Sequence, residues 1–288
     1  MPEQRFCMQS KHFIILSLGW LAVNGAFAEA VSKTVALSEA PPAVQKTIQT
    51  QAGDGTLGEI DKALNGGETV YNVELTAKDG HERDFTVDED GTLLSVEIAL
   101  TEAPAPVQKS IQTLTNQGEL NGINKNLDDS DVTYDVELTA KDGQEKDFTI
   151  DEDGTLLSAE VALSETPEMV QKTIQTRVGD GNLGSIDKNF DEAGINYDVE
   201  MTTKEGRNKG FIVAADGSLV SAQVTLEETL PAVRRTIKRQ IGDGKVLRID
   251  LSFVKEKGVF PYEIEGRKDG KPFDFSVGPK GRFLGMDD

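Results

Sequence analysis

The sequence predicts an α+β protein of four tandem α-β-β-β-β repeats, each a helix packed on a four-stranded antiparallel sheet. Three observations predict this class. The same residues recur at a fixed interval, each copy opens with an apolar pattern of helical period, and residues alternating with strand period follow. Hydrophobic residues make up 37% of the 288 residues, which favours folded cores over wholesale disorder.

The four copies recur at an interval of 63 residues. Equivalent valines stand 63 residues apart at each step: Val44, Val107, Val170 and Val233. The segment VELTAKDG occurs at 73–80 and again at 136–143. We therefore place repeat one at 29–98, repeat two at 99–161, repeat three at 162–224 and repeat four at 225–288.

Residues 1–28 are predicted to be a signal peptide. Arg5 and Lys11 precede a short apolar run at 13–23, and Ala26-Phe27-Ala28 fits the small-x-small cleavage pattern. The run is shorter than the roughly 20 residues that span a bilayer. We therefore expect cleavage before Glu29, no membrane insertion afterwards, and a periplasmic or secreted protein.

Each repeat is predicted to open with a helix of about ten residues. Prolines stand at its start, where a missing N–H is tolerated, as at Pro41-Pro42 in repeat one. Val44 and Ile48 fall on one helical face. Gly53, Gly179 and Gly242 are expected to end three of the four helices.

The remainder of each repeat is predicted to form strands. In repeat one, apolar and polar residues alternate over 71–76, 84–88 and 94–98, and a weaker strand contains Leu57 and Ile60. Turn signals at 78–80 and 88–91 join these strands into a meander. The repeats could also pair into two larger domains.

The segment YNVELTAKDGHERDFTVDEDGTLLSVEI at 71–98, with its copies down to 262–285, resembles the PepSY-like family. That family comprises exported bacterial modules related in fold to the beta-lactamase inhibitor protein. The resemblance implies a non-catalytic module that binds or inhibits another protein. It implies no catalytic residues.

The acidic turns allow a calcium hypothesis, and calcium is the one cofactor that the sequence leaves open. With Gly91 or Gly154 at the sixth position of a calcium loop, the ligands would be these carboxylates: Asp88, Asp90, Asp151 and Asp153. The alternative is a plain hairpin turn, because Asp and Gly tolerate positive φ. The flanks are predicted strands, which favours the turn.

Catalysis and nucleic-acid binding are both disfavoured. The net charge of −20 repels phosphates. After cleavage the chain keeps no Cys and a single His, His81, so we expect no enzyme.

Charge is distributed unevenly among the repeats, at −9, −10, −4 and +2 from first to last. The predicted helix of repeat four is basic and carries Arg234, Arg235, Lys238 and Arg239. One hypothesis is head-to-tail contact between basic and acidic ends, within or between molecules. The alternative is an ordinary solvated face.

The leading functional prediction is binding of an unknown exported protein by an exposed strand face. The outward candidates are Asn72, Glu74, Thr76, Asp135 and Glu137. The alternatives are low-affinity calcium binding by the acidic half and a structural, self-associating protein of the cell envelope.

Expression of the full chain in a bacterial host tests the signal peptide. We expect the exported protein to begin at Glu29, because the signal peptidase cuts after a small-x-small site. Intact-mass measurement of the exported fraction checks this start. Retention of the full-length mass in the membrane fraction would contradict it.

Overall fold

The computed structural model describes residues 32–65, 68–115, 118–127, 131–191, 194–255, 258–268 and 271–286. These residues contain four α-helices and seventeen β-strands, and about half of them lie in strands. The predicted signal peptide, residues 1–28, lies outside the described residues. Among the described residues, no helix is long and apolar enough to cross a membrane.

The four α-helices have eleven residues each: α1 (Pro42–Ala52), α2 (Ala105–Thr115), α3 (Glu168–Val178) and α4 (Pro231–Ile241). A short 3-10 turn precedes each of them, at Leu37–Glu39, Leu100–Glu102, Leu163–Glu165 and Leu226–Glu228. The Glu that ends each turn accepts a hydrogen bond from the backbone N–H three residues earlier, at 2.7 to 2.9 Å.

The strands up to residue 151 are β1 (Lys33–Thr34), β2 (Thr56–Asn65), β3 (Glu68–Thr76), β4 (Phe85–Asp88), β5 (Leu93–Glu97), β6 (Gly118–Leu127), β7 (Val132–Ala140) and β8 (Glu145–Asp151). The later strands are β9 (Leu156–Glu160), β10 (Asn182–Asp191), β11 (Gly194–Thr202), β12 (Asn208–Ala214), β13 (Leu219–Gln223), β14 (Lys245–Ser252), β15 (Tyr262–Lys268), β16 (Lys271–Val277) and β17 (Phe283–Met286).

The chain divides into two compact units. The first contains the residues up to 145 together with 149–156, and the second contains 146–148 and the residues from 157 onward. Pairing is antiparallel from β1 through β7 in the first unit and from β9 through β17 in the second. The repeat boundaries proposed from the sequence stay a prediction.

The predicted fold class, four repeats each with its own four-stranded sheet, is wrong. In the first unit β5 of repeat one pairs with β6 of repeat two, with Val96 opposite Lys125. In the second unit β9 pairs with β10, and β13 pairs with β14. The sheet therefore runs through the repeat boundaries. The physical reason is that a four-stranded sheet leaves unpaired N–H and C=O groups at its edges, and the next repeat satisfies them.

The helices pack on one face of the sheet in each unit. α1 contacts β3 and β4, and its Val44 and Ile48 are fully buried against the sheet. The strand residues of this core include Ile60, Tyr71, Val73, Leu75, Phe85 and Val87. Equivalent cores lie under α3 and α4 in the second unit. Burial of one Val and one Ile from each helix is the apolar contact that fixes it to the sheet.

Glycines end three helices as the sequence predicts. Gly53, Gly179 and Gly242 have φ of 49°, 54° and 59°, and each donates its N–H to the carbonyl four residues earlier. A left-handed residue at this position suits glycine, because it has no Cβ. The Gly-Asp-Gly segments at 53–55, 179–181 and 242–244 therefore begin with glycines that cap the helices.

In each repeat, the turn between the last two strands is hydrogen-bonded to the helix. Thr47 in α1 donates its hydroxyl to the carbonyl of Gly91 at 2.6 Å. Gly91 has φ of 93°, and a Cβ there would lie 2.7 Å from the backbone of Ala43. The same bond, at 2.6 to 2.7 Å, joins Ser110 to Gly154, Thr173 to Gly217 and Thr236 to Gly281. Glycine is required here by close packing as well as by φ.

A side chain near the start of each helix clamps the preceding 3-10 turn. Gln45 donates to the carbonyl of Ala40 at 2.8 Å, and Gln108 and Gln171 do the same in repeats two and three. Repeat four uses Arg234, whose guanidinium donates to the carbonyls of Leu226, Glu227 and Thr229. This residue of the predicted basic face therefore has a structural role.

Substitution of the turn glycines tests the contact between turn and helix. Gly80 has φ of 87° and open space around it. We therefore expect Gly80→Ala to lower the unfolding free energy by about 1 kcal/mol, because the alanine must adopt a left-handed backbone. Gly91→Ala should cost about 1–3 kcal/mol more, because its methyl overlaps α1. Urea denaturation measures both. Equal losses would show that the contact with the helix contributes nothing.

The clamp at Arg234 is tested by truncation. We expect Arg234→Ala to lower the unfolding free energy by about 1–3 kcal/mol, because three carbonyl contacts are lost. Arg234→Gln should recover part of that loss, as Gln45 makes the equivalent bond. Arg235→Ala, on the exposed side of α4, is the control and should change it by less than about 0.5 kcal/mol. A similar loss at both arginines would contradict the structural role.

Candidate functional site

Each unit has a second sheet face, which points away from its helices. In β3, Tyr71, Val73 and Leu75 are buried in the core beneath α1. The residues between them alternate to the opposite side of the strand. We call this opposite side, in each unit, the open face.

The five predicted partner-binding residues all lie on the open face of the first unit. Three come from β3 and two from β7: Asn72, Glu74 and Thr76, with Asp135 and Glu137. Some of them are held by neighbours. Thr86 donates its hydroxyl to Asn72 at 3.0 Å, and Thr149 donates to Asp135 at 2.8 Å. Their part in binding stays a prediction.

Two further carboxylates, Asp84 and Glu97, extend this group beyond the sequence prediction. Glu97 N–H donates to the carbonyl of Asp84 at 2.7 Å, so the two residues are cross-strand neighbours. Burial raises the pKa of Asp84, and the negative charge of Glu74 raises it further. Burial likewise raises the pKa of Glu97 and the charge of Asp84 adds to the rise, whereas the hydrogen bond from the Asp84 N–H and the charge of Arg83 act in the opposite direction. Both carboxyls are therefore partly buried, and their ionised forms also repel neighbouring carboxylates.

Carboxylates of β5 and β7 approach each other at a glycine of β6. Gly122 in β6 stands opposite Glu137 in β7. A Cβ at Gly122 would lie 3.9 Å from a carboxylate oxygen of Glu137 and 3.9 Å from one of Glu97. Carboxylates from both neighbouring strands therefore lie around the same bare backbone position.

Strands β2–β7 place no Lys or Arg side chain among these carboxylates. The basic residues of β2–β7 are Lys62 and Lys125. They stand opposite the buried Tyr71 and Tyr134, so both lie on the helix side of the sheet. Residues directly opposite in a ladder share a face. The open face formed by β2–β7 therefore carries carboxylates without a Lys or Arg.

The second unit contains a row of three carboxylates on adjacent strands. Asp187 in β10 stands opposite Glu160 in β9 and Asp198 in β11. Burial raises the pKa of Asp187 to about 7, and the charges of Glu160 and Asp198 contribute. Like charges in this arrangement destabilise a sheet. Sequence reasoning missed the row because it did not pair strands of different repeats.

In repeat four, an arginine forms an ion pair with an acidic residue of the same strand. Arg248 Nε lies 2.5 Å from Asp250 Oδ2, and Asp250 is 7% exposed. Burial raises the pKa of Asp198, and the charge of Arg248 acts in the opposite direction and lowers it. Arg248 therefore compensates part of the acidic charge on the open face of the second unit.

The carboxylates of the predicted calcium loops already accept hydrogen bonds within their turns. Asp88 Oδ1 accepts from the N–H groups of Asp90 and Thr92, and Asp90 Oδ1 accepts from the Thr92 hydroxyl at 2.7 Å. Asp151 and Asp153 repeat this pattern around Thr155. Over the described ranges, no group of three or more acidic, His or Cys side chains has the arrangement of a metal site. Calcium binding stays a prediction.

The predicted basic residues of repeat four divide into two sets. Arg234 holds the 3-10 turn before α4. Arg235, Lys238 and Arg239 are exposed. Lys238 and Arg239 lie in the last helical turn, where positive charge interacts favourably with the helix dipole. Their role in self-association stays a prediction.

Comparison with known proteins gives one relative that the chain covers almost completely. No family model matches the chain. The uncharacterized protein YkoJ of Bacillus subtilis is 31% identical over 175 residues, which is 54% of this chain and 98% of the relative.

Solved structures show weaker similarity. A DUF2874 family protein from Bacteroides ovatus is 18% identical, covers 42% of this chain and 86% of its own, and has a TM-score of 0.32. A BLIP-like protein from Bacteroides fragilis is 15% identical and has a TM-score of 0.31, and the match covers 41% of this chain and 83% of that protein. These scores, below 0.5, do not establish a common fold. By the extent of the sequence match, the chain belongs to the same family as YkoJ.

Proposed function

We propose that the protein is an exported, non-catalytic binding module whose open face holds the cationic surface of another protein. The observation that supports this most directly is the separation of acidic from basic side chains in the strands of the first unit. Its strands β2–β7 direct both of their lysines to the helix side and their carboxylates to the open face. Electrostatic complementarity then gives both the orientation and the rate of association.

The carboxylates at this site favour a cationic partner. Burial raises the pKa values of Asp84 and Glu97, and repulsion adds to the rise, from the charge of Glu74 at Asp84 and from the charge of Asp84 at Glu97. A Lys or Arg placed among them would relieve it. An acidic or strongly apolar partner would leave it in place.

The backbone under the site is suited to a fixed binding surface. The open face is built on paired strands, and the opposite side of the same strands packs in the core under α1. Side chains on such strands are positioned more exactly than those on loops. Asn72 and Thr86 add a neutral pair beside the carboxylates, with 3.0 Å between their side-chain oxygens.

The experiment is capture followed by charge reversal. The mature chain, residues 29–288, is immobilised, and the protein it retains from periplasmic and secreted fractions is identified and purified. We expect the double variant Glu74→Lys with Glu137→Lys to weaken binding of that protein at least tenfold, because attraction becomes repulsion at both ends of the acidic group.

A control variant separates the site from net charge. Asp54→Lys with Asp180→Lys changes the net charge equally at two exposed turns, where the side chains are 79% and 83% exposed. We expect its affinity to stay within about twofold of the wild type. Equal weakening by both double variants, or by neither, would contradict binding at the open face.

A further inference from the structure

One position on the open face has different surroundings in each of the four repeats. The equivalent residues are Asp61, Asn124, Asp187 and Asp250. Each lies on the first long strand of its repeat and faces a residue of the following strand. What surrounds the side chain differs from repeat to repeat, and that difference carries the inference.

At three of the four positions, a hydrogen bond, a neutral side chain or an ion pair reduces the repulsion between carboxylates. Asp61 accepts the Thr34 hydroxyl at 2.7 Å and stands opposite the neutral Asn72. Asn124 is itself neutral and stands between Glu97 and Asp135. Asp250 forms an ion pair with Arg248. In each case the sheet avoids three adjacent carboxylates.

Position 187 is different. Asp187 stands between Glu160 and Asp198, so three carboxylates occupy three adjacent strands in direct register. Side chains directly opposite in a ladder have Cβ atoms about 4.5–5.5 Å apart. One proton among the three removes one charge and lets one carboxyl donate a hydrogen bond to a neighbour.

We propose that Glu160, Asp187 and Asp198 form a proton-controlled junction between repeats two and three. Strand β10 is held firmly between β9 and β11 while one of the three carboxyls keeps a proton. The pairing loosens when all three are ionised. The proton resides on Asp187, because it is the middle member and has a carboxylate on either side.

The charged groups around Asp187 act in this direction. Asp147 of β8, Glu160 of β9, and Asp198 and Glu200 of β11 all face it with negative charge. Arg248 of β14 favours the ionised form of Asp198, and its own hydrogen bonds go to Asp250. Lys188 follows in the chain but lies over the Phe190 ring, 4.8 Å from its centroid.

The direction of the pH effect follows from the folded pKa of Asp187, about 7, against an ordinary value of 3.8. Between these values the folded protein binds more protons than the unfolded chain, so its stability falls as pH rises. The fall is complete once pH exceeds the folded pKa. The junction is therefore firmest in mild acid and weakest above neutrality.

The test compares wild type with Asp187→Asn, which places in repeat three the residue that repeat two has at position 124. Amide hydrogen exchange of β9–β11 is followed from pH 5 to pH 8, with the two proteins compared at equal pH. We expect the ratio of opening constants, wild type over variant, to rise by up to about tenfold per pH unit and to level off above pH 7–8. A ratio that stays constant over this range would overturn the proposal.

Two further variants make the test specific to the junction. Asn124→Asp creates three adjacent carboxylates in the first unit, and we expect it to introduce a similar pH dependence in β5–β7. Asp61→Asn removes the equivalent carboxyl from repeat one, where the cross-strand neighbour is Asn72, and it should introduce none. A pH dependence that appears with Asp61→Asn, or fails to appear with Asn124→Asp, would overturn the proposal even if Asp187→Asn does not fold.

Discussion

The contact on which the structure depends is the one between each helix and the last hairpin turn of its repeat. A hydroxyl from the helix binds the carbonyl of the turn glycine in all four repeats, as Thr47 binds Gly91. A bare glycine Cα lets the turn approach the helix closely enough for this bond. The bond fixes the helix over the sheet, and the buried Val and Ile beneath it complete the core. With one face of the sheet occupied in this way, the polar residues of the strands collect on the other face, where side chains such as Asp250 are themselves buried.

The open face then inherits the acidic composition of the chain. Strand alternation separates the residues cleanly, since the lysines of β2 and β6 accompany the buried tyrosines while the carboxylates collect on the opposite side. In a shorter sheet these carboxylates would lie at an edge and be well hydrated. Here pairing between repeats places some of them mid-sheet, where burial and mutual repulsion both act on them.

Local structure was predictable from the residues because its causes are local. The capping glycines, the Asp-Gly turns and the alternation of β3 each depend on a few neighbouring positions. The pairing of β5 with β6 was not predictable in the same way, because every repeat presents the same alternation and nothing in it names the next partner. The error in fold class follows from this. The sequence also identified Glu74 and Glu137 as outward residues, but the row at Glu160, Asp187 and Asp198 required knowledge of the register between repeats.

The register between repeats also bears on how such a chain changes in evolution. The junctions are alike, with Val96 opposite Lys125, Ala159 opposite Lys188 and Ala222 opposite Leu251. A last strand that accepts the first long strand of one repeat can accept that of another, since the bonds are made by backbone. Recombination between the similar gene segments would then add or remove whole 63-residue units while leaving every ladder paired. The copy number can vary without a new fold having to be invented, and what each added copy alters is the length and charge of the surface that the molecule presents.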